Sequence, residues 1–194
     1  MGTNATNPTD YLPNPDSAGT LLTSTNAELN IMDGVTATAA EINLAADISS
    51  TSGKVVTIDD GTNTLALTQA LHANKIAYTL DASLAITLPE ATGTGDVYTV
   101  VLGIAATAVT IVTADTSNAS MRGMVNAYDF DDESTLPSYP AVAGDDTLTL
   151  NGTATGGRIH DNFTFVDVAT DVWLVSGQMA LSGGSEVTPF SSAA

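Results

Sequence analysis

The sequence predicts a mainly β protein: a β-sandwich or barrel-like body over residues 51–180, preceded by an extended N-terminal arm with short helical turns over residues 1–50. A tail over residues 181–194 follows the body. From Lys54 onward, short runs rich in β-branched and aromatic residues alternate with turn residues, which is typical of a sandwich or barrel. The first 21 residues contain three prolines among Asn, Thr and Asp and offer no core. A chain that is 43% hydrophobic and only 13% charged has enough apolar surface to fold.

A tandem duplication with a period of 13 residues occupies residues 22–47 of the arm, where Glu28 of the first copy corresponds to Glu41 of the second. Each Glu follows a threonine by three residues, Thr25 or Thr38, and this spacing is typical of the capping box that opens a helix. A helical turn this short is not stable alone because helix nucleation is costly. We therefore expect the arm to pack on a surface from another chain.

The body contains ten predicted strands. In one of them, Ser83–Leu88, apolar residues alternate with small or polar ones, which indicates one buried and one wet face. The Asp60-Gly61 pair predicts a β-hairpin between the first two strands. The predicted strands cover residues 55–58, 65–67, 75–80, 83–88, 97–102, 108–112, 124–128, 147–150, 162–168 and 172–175.

The last two predicted strands form a hairpin across residues 169–171. Its aromatic residues Phe163, Phe165 and Trp173 are the predicted core anchors.

The charge of the chain is strongly one-sided, with four basic and 22 acidic residues and a formal net charge of −18. Phosphate backbones and anionic membranes repel such a chain, so we expect neither a nucleic-acid partner nor a membrane partner. The longest apolar stretch, residues 97–112, is interrupted by polar and Gly residues and reads as two strands joined by a turn. The absence of cysteine is compatible with assembly in a reducing cytoplasm.

Catalytic motifs are scarce, and we predict a protein without enzymatic activity or cofactor. His72 and His160 are the only histidines. The segment Arg158–Asp161 could supply a base and its orienting carboxylate, but no nucleophile accompanies it. The Gly93-Thr94-Gly95 segment predicts a turn rather than a phosphate loop, because no helix follows it.

Acidic residues cluster in an irregular insertion over residues 129–146, whose length makes it a candidate functional loop. The carboxylates could ligate Ca²⁺, although EF-hand spacing is absent and such runs are usually solvated faces, so both interpretations stay open. They are Asp129, Asp131, Asp132, Glu133, Asp145 and Asp146.

Residues 27–35 (AELNIMDGV) and 36–43 (TATAAEIN) resemble a repeat found in tail-fibre, head-fibre and capsid-decoration proteins of tailed bacteriophages. A weaker similarity to phage head-decoration proteins continues through residues 87–98 and 171–177. The resemblance implies a virion structural protein.

What the resemblance implies in detail is a capsid decoration or cement protein that binds and stabilises the assembled head. The expected partner is the major capsid protein, the expected state is a homotrimer, and the expected location is the outer surface of the capsid, after assembly in the host cytoplasm. The alternative is a head or tail fibre that binds a host receptor or carbohydrate. The expected capsid-contact residues are Leu22, Glu28, Leu29, Ile31, Met32, Glu41, Ile42 and Leu44.

Overall fold

The computed structural model describes residues 54–59, 61–131, 136–183 and 185–192. By its internal contacts the chain divides into two units, Met1–Ser50 and Thr51–Ala194. The second unit contains all of the described residues, whereas the predicted arm and its repeat lie outside them.

About half of the described residues form strands, and there is one four-residue helix among them. In chain order the elements are β1 (Val55–Ile58), β2 (Thr64–Ala66), α1 (Gln69–His72), β3 (Lys75–Thr79), β4 (Ser83–Thr87), β5 (Val97–Leu102), β6 (Ala108–Val112), β7 (Ser120–Asp129), β8 (Ser138–Ala141), β9 (Thr147–Leu150), β10 (Asn162–Ala169), β11 (Val172–Leu181) and β12 (Phe190–Ser191).

The strands build two sheets that pack on each other around one apolar core, which confirms the predicted mainly β, sandwich-like class. The larger sheet has seven strands in the order β1-β3-β5-β10-β11-β7-β8. The smaller has five in the order β12-β9-β6-β4-β2.

Strands β1 to β6 alternate between the two sheets instead of pairing with their neighbours in sequence. β1, β3 and β5 pair in parallel in the larger sheet, and β2, β4 and β6 do so in the smaller one. The hairpin predicted at Asp60-Gly61 is therefore wrong, because β1 and β2 lie in different sheets. The alternation of apolar residues indicates which face of a strand is buried but not which strand is its neighbour. A glycine such as Gly61, with φ of 67°, suits a loop that crosses the sandwich as well as a tight hairpin.

The hairpin predicted near the end of the body is confirmed. β10 and β11 are antiparallel, with Phe165 opposite Val175. Phe163, Phe165 and Trp173 are 0%, 0% and 1% exposed and are among the largest fully buried side chains. This hairpin therefore supplies three of the aromatic side chains of the core, which Tyr98 and Phe190 join from other strands.

The structure contains two strands that the sequence does not predict, and β7 and β11 are longer than predicted by several residues. β8 contains Pro140, which lacks an N–H, and this strand lies at the edge of the larger sheet where such a residue is tolerated. β12 falls within the segment predicted as a tail and pairs with β9. β7 and β11 run in parallel over ten residues each.

The smaller sheet shows a regular alternation of inward and outward residues. Leu and Ile side chains such as Leu84, Ile86 and Ile111 point into the core, where complete burial of each contributes roughly 1.5–3 kcal/mol. The outward positions hold only small or hydroxyl-bearing side chains and one valine. They are Thr64, Ala66, Ser83, Ala85, Thr87, Ala108, Thr110, Val112, Thr147, Thr149 and Ser191.

Candidate functional site

The carboxylates of the described region lie in loops, with two exceptions that belong to strands. Those exceptions, Asp129 in β7 and Asp167 in β10, are each 3% exposed. Because no described strand carries a carboxylate on its outward face, any acidic chemistry of the body is confined to the loops and to these buried groups.

The most completely hydrogen-bonded carboxylate is Asp167, which is enclosed by the loop that precedes β5. Its Oδ1 accepts a hydrogen bond from the Gly93 N–H at 2.6 Å, and its Oδ2 accepts from the N–H groups of Thr92 and Thr94 at 3.0 and 3.1 Å. The Thr94 hydroxyl adds a fourth donor at 2.9 Å. Successive N–H groups that converge in this way form an anion-binding concavity. The concavity formed by residues 92–95 is thus filled by the carboxylate of Asp167. This agrees with the prediction of a turn rather than a phosphate loop.

The pKa of Asp167 reflects this enclosure. Burial by itself would raise the pKa, but the hydrogen bonds from Thr92, Gly93 and Thr94 outweigh it and hold the pKa below its usual value. The charged form is therefore the one that links β10 to the loop before β5.

In the candidate acid–base segment Arg158–Asp161, the carboxylate holds backbone groups together. Asp161 is buried, and its Oδ2 accepts from the N–H groups of Gly157 at 2.8 Å and Arg158 at 2.9 Å, while its Oδ1 accepts from the Ala180 N–H at 3.0 Å. Burial raises the pKa of Asp161, and the three backbone hydrogen bonds oppose that rise. Both oxygens are used to join the loop after β9 to β11, so this carboxylate is not positioned to orient the exposed imidazole of His160.

The other histidine, His72, is buried at the end of α1. Its Nδ1 accepts a hydrogen bond from the Thr68 N–H at 3.0 Å, which places the proton of the neutral ring on Nε2. Burial lowers the pKa of His72, and the nearby charge of Lys75 lowers it further. This side chain therefore acts as a neutral part of the packing beside the larger sheet.

The acidic insertion uses several of its carboxylates to hold its own backbone. Asp129 accepts from the Asp131 N–H at 2.9 Å, Asp145 accepts from the Val142 N–H at 2.7 Å, and Asp131 accepts from the Gly183 N–H. Asp132 and Glu133 lie outside the described residues. Among the residues that are described, no group of three or more His, Cys, Asp or Glu side chains could hold a metal ion.

Open depressions lined by polar side chains mark the surface of the described region, and two of them lie near features discussed above. One of about 660 Å³ lies beside the acidic insertion and is lined by Asp131, Thr153 and Ser182, among others. The other, of about 240 Å³, lies on the outward face of the larger sheet and is lined mainly by amide and hydroxyl side chains, including Asn162 and Gln178. The residues that line the second depression carry no charge, so this part of the surface is neutral.

The single tryptophan is not available to stack on a sugar. Trp173 is buried and meets Tyr98 edge-on, with ring centroids 5.6 Å apart and planes at 79°. Its Nε1 has no hydrogen-bond partner among the described residues. Burial beside two carboxylates raises the pKa of Tyr98 to about 12, so the Tyr98 ring stays neutral in this contact. The carbohydrate alternative therefore receives no support from Trp173.

The structure leaves the predicted capsid-contact residues unplaced, because all eight lie outside the described residues. The predicted core anchors lie together in the core. The carboxylate of Asp161 and the imidazole of His160 do not form the acid–base pair that the segment could have supplied. Sequence reasoning missed the enclosure of Asp167. A signal was present, since Asp167 follows Phe163 and Phe165 at the same alternate positions of β10 and should share their buried face.

Comparison of the chain with protein-family models, curated proteins and solved structures finds no match in any of the three. Within the described residues, no helix has the length and apolar character needed to cross a membrane.

Proposed function

We propose that the protein is a non-enzymatic structural component of a phage virion, a capsid decoration or cement protein that binds and stabilises the assembled head. In this proposal it lies as a homotrimer on the outer surface of the capsid, with the major capsid protein as its partner.

The observation that carries the proposal is the tandem repeat over residues 22–47, whose wording resembles repeats of phage decoration and fibre proteins. Its two units are too short to be stable without a surface to pack on. An arm that orders on such a surface loses chain entropy but can contact several subunits at once. Several arms in one oligomer would multiply the effective affinity.

The chemistry of the body is compatible with a binding role rather than a catalytic one. Asp161 and Asp167 are the carboxylates with several backbone hydrogen bonds each. Their oxygens accept these bonds from backbone N–H groups and so join loops to strands. The net charge of −18 would also keep decorated particles apart in solution through like-charge repulsion.

The proposal is tested by adding purified full-length protein to undecorated capsids and measuring bound protein after sedimentation. We expect saturable binding and a higher temperature of capsid disruption, because a ligand that binds only the intact shell stabilises it. Leu29→Asp, in the first repeat, should weaken binding at least about tenfold, which corresponds to about 1.4 kcal/mol.

The matched control is Leu136→Asp, the same substitution at a body side chain that is 73% exposed. It should leave capsid binding unchanged. Protein that fails to bind capsids but sediments with host cells would contradict the decoration proposal and favour the fibre alternative.

A further inference from the structure

The outward face of the seven-stranded sheet combines a neutral polar centre with apolar margins. In the polar centre, Asn162 of β10, Gln178 of β11 and Asn126 of β7 lie side by side in one row of the sheet. A second row places Thr99, Thr164 and Ser176 on adjacent strands, with the two threonine hydroxyls 3.3 Å apart. All of these residues except Thr99 line the 240 Å³ depression, together with Met124 and Gly177.

The margins of this face are unusually apolar for a surface that meets water. Val55, Met124 and Leu174 are 52%, 47% and 44% exposed, and the outward Ile76 and Val166 are half-buried. Strand β5 is apolar or aromatic at every position except Thr99. Continuous apolar strands of this kind are typical of parallel sheets that are covered on both faces. The inward face is covered by the smaller sheet, so the pattern indicates a cover for the outward face as well.

The charge of the chain indicates what kind of partner can bind the outward face of the larger sheet. Each chain carries a net charge of −18, so two copies can approach closely only through surfaces that hold no carboxylates. The outward positions of the seven strands of the larger sheet carry no carboxylate. Arg122, on β7, is the one charged side chain at these described outward positions. The smaller sheet is also free of carboxylates, but its outward side chains are too small to provide apolar anchors.

The polar centre suits a partner with the same chemistry. Amide and hydroxyl groups both donate and accept hydrogen bonds, so rows of them can pair with a second identical set without leaving a buried group unsatisfied.

The area of the outward face is also sufficient for a stable interface. Seven strands about 4.8 Å apart, each with two to five outward residues, give roughly 700 Å² per copy, close to the roughly 800 Å² per partner of standard interfaces.

We propose that this outward face, centred on the row Asn162, Gln178 and Asn126, binds a second copy of the chain. A face that pairs with the same face of a second copy forms a two-fold dimer, so this contact is separate from the homotrimer and from the capsid binding of the proposed function and rests on neither.

The test measures self-association of the full-length protein without capsids, by sedimentation equilibrium up to about 0.1 mM. Gln178→Glu changes only an amide to a carboxylate of the same shape, and Ser176→Glu adds a longer acidic side chain beside it. Both should weaken self-association at least about tenfold, because like charges then face each other. Higher salt should partly restore it through screening.

The matched control is Ser83→Glu, which adds the same charge at an exposed outward position of the smaller sheet and should leave self-association unchanged. Thermal unfolding of each variant checks that the fold is kept. A wild-type protein that stays monomeric, or an oligomer that tolerates Gln178→Glu as well as Ser83→Glu, would overturn the inference. Because capsids are absent, this result is separate from that of the capsid-binding experiment.

Discussion

Replacing Asp167 by Asn removes one charge from the enclosed carboxylate and alters nothing else in the shape of the side chain. The native carboxylate accepts from three N–H groups, those of Thr92, Gly93 and Thr94, and from the Thr94 hydroxyl. In the variant, the amide oxygen can replace Oδ2, but the amide NH₂ then meets the Gly93 N–H, which donates to Oδ1 at 2.6 Å in the native protein. The amide NH₂ and the Gly93 N–H are both donors and cannot bond each other. The remaining hydrogen bonds are made to a neutral acceptor instead of a charged one.

The expected cost follows from these contacts. An unsatisfied buried donor costs about 1–3 kcal/mol, and hydrogen bonds to a charged acceptor are about twice as strong as neutral ones. We therefore expect Asp167→Asn to lower the free energy of unfolding by about 2–4 kcal/mol, as measured by urea denaturation at pH 7. The control is Asp171→Asn in the same hairpin. Its φ of 60° suits Asn as well as Asp, and a change below about 0.5 kcal/mol is expected.

The pH dependence gives a second readout. The folded-state pKa of Asp167 is below the ordinary value of 3.8, so its contribution is complete above that value and is lost as the pH falls further. The difference in stability between the wild type and Asp167→Asn should therefore shrink in strong acid. If Asp167→Asn costs no more than Asp171→Asn at pH 7, the carboxylate does not hold the loop and the reasoning is refuted.

Four further substitutions test the packing and electrostatics of the body by urea denaturation. Trp173→Ala should cost about 3–5 kcal/mol because the side chain is fully buried, and a loss below about 1 kcal/mol would place it on the surface. Gly123→Ala should cost more than about 3 kcal/mol, because φ is 130° and the new Cβ would overlap the Val175 carbonyl oxygen. Gly144→Ala, with positive φ but open space around it, should cost only about 1–2 kcal/mol, and equal costs would contradict the close approach of β7 to β11 at Gly123. Because the pKa of His72 is lowered below 6.5, its contribution is complete above pH 6.5 and is lost as the pH falls, so His72→Leu should reduce the loss of stability between about pH 7 and 5. An unchanged pH dependence would show that His72 is not held neutral.

The sequence predicts the strands of the core well where alternation is strict, as in β4 and β6. Period-two alternation follows from the backbone geometry of a strand and needs no knowledge of its neighbours. Pairing is different, because the neighbour of β1 is β3, about 20 residues away, and a loop that crosses the sandwich uses the same turn residues as a hairpin.

The enclosure of Asp167 shows the same limit at the level of a site. Its position in β10 predicts burial, and a buried carboxylate requires donors. The donors lie 73 to 75 residues earlier in the chain, and only the placement of β5 beside β10 brings them together. Local sequence therefore indicates that the carboxylate has partners but not which residues they are.

The central claim, that this chain decorates a phage head, is tested most directly by counting its copies in purified particles with quantitative mass spectrometry. A decoration protein occupies symmetry-related positions over the whole shell, so we expect on the order of hundreds of copies per particle. A count of a few copies, or on the order of tens, would contradict decoration and identify a fibre attached at a small number of positions.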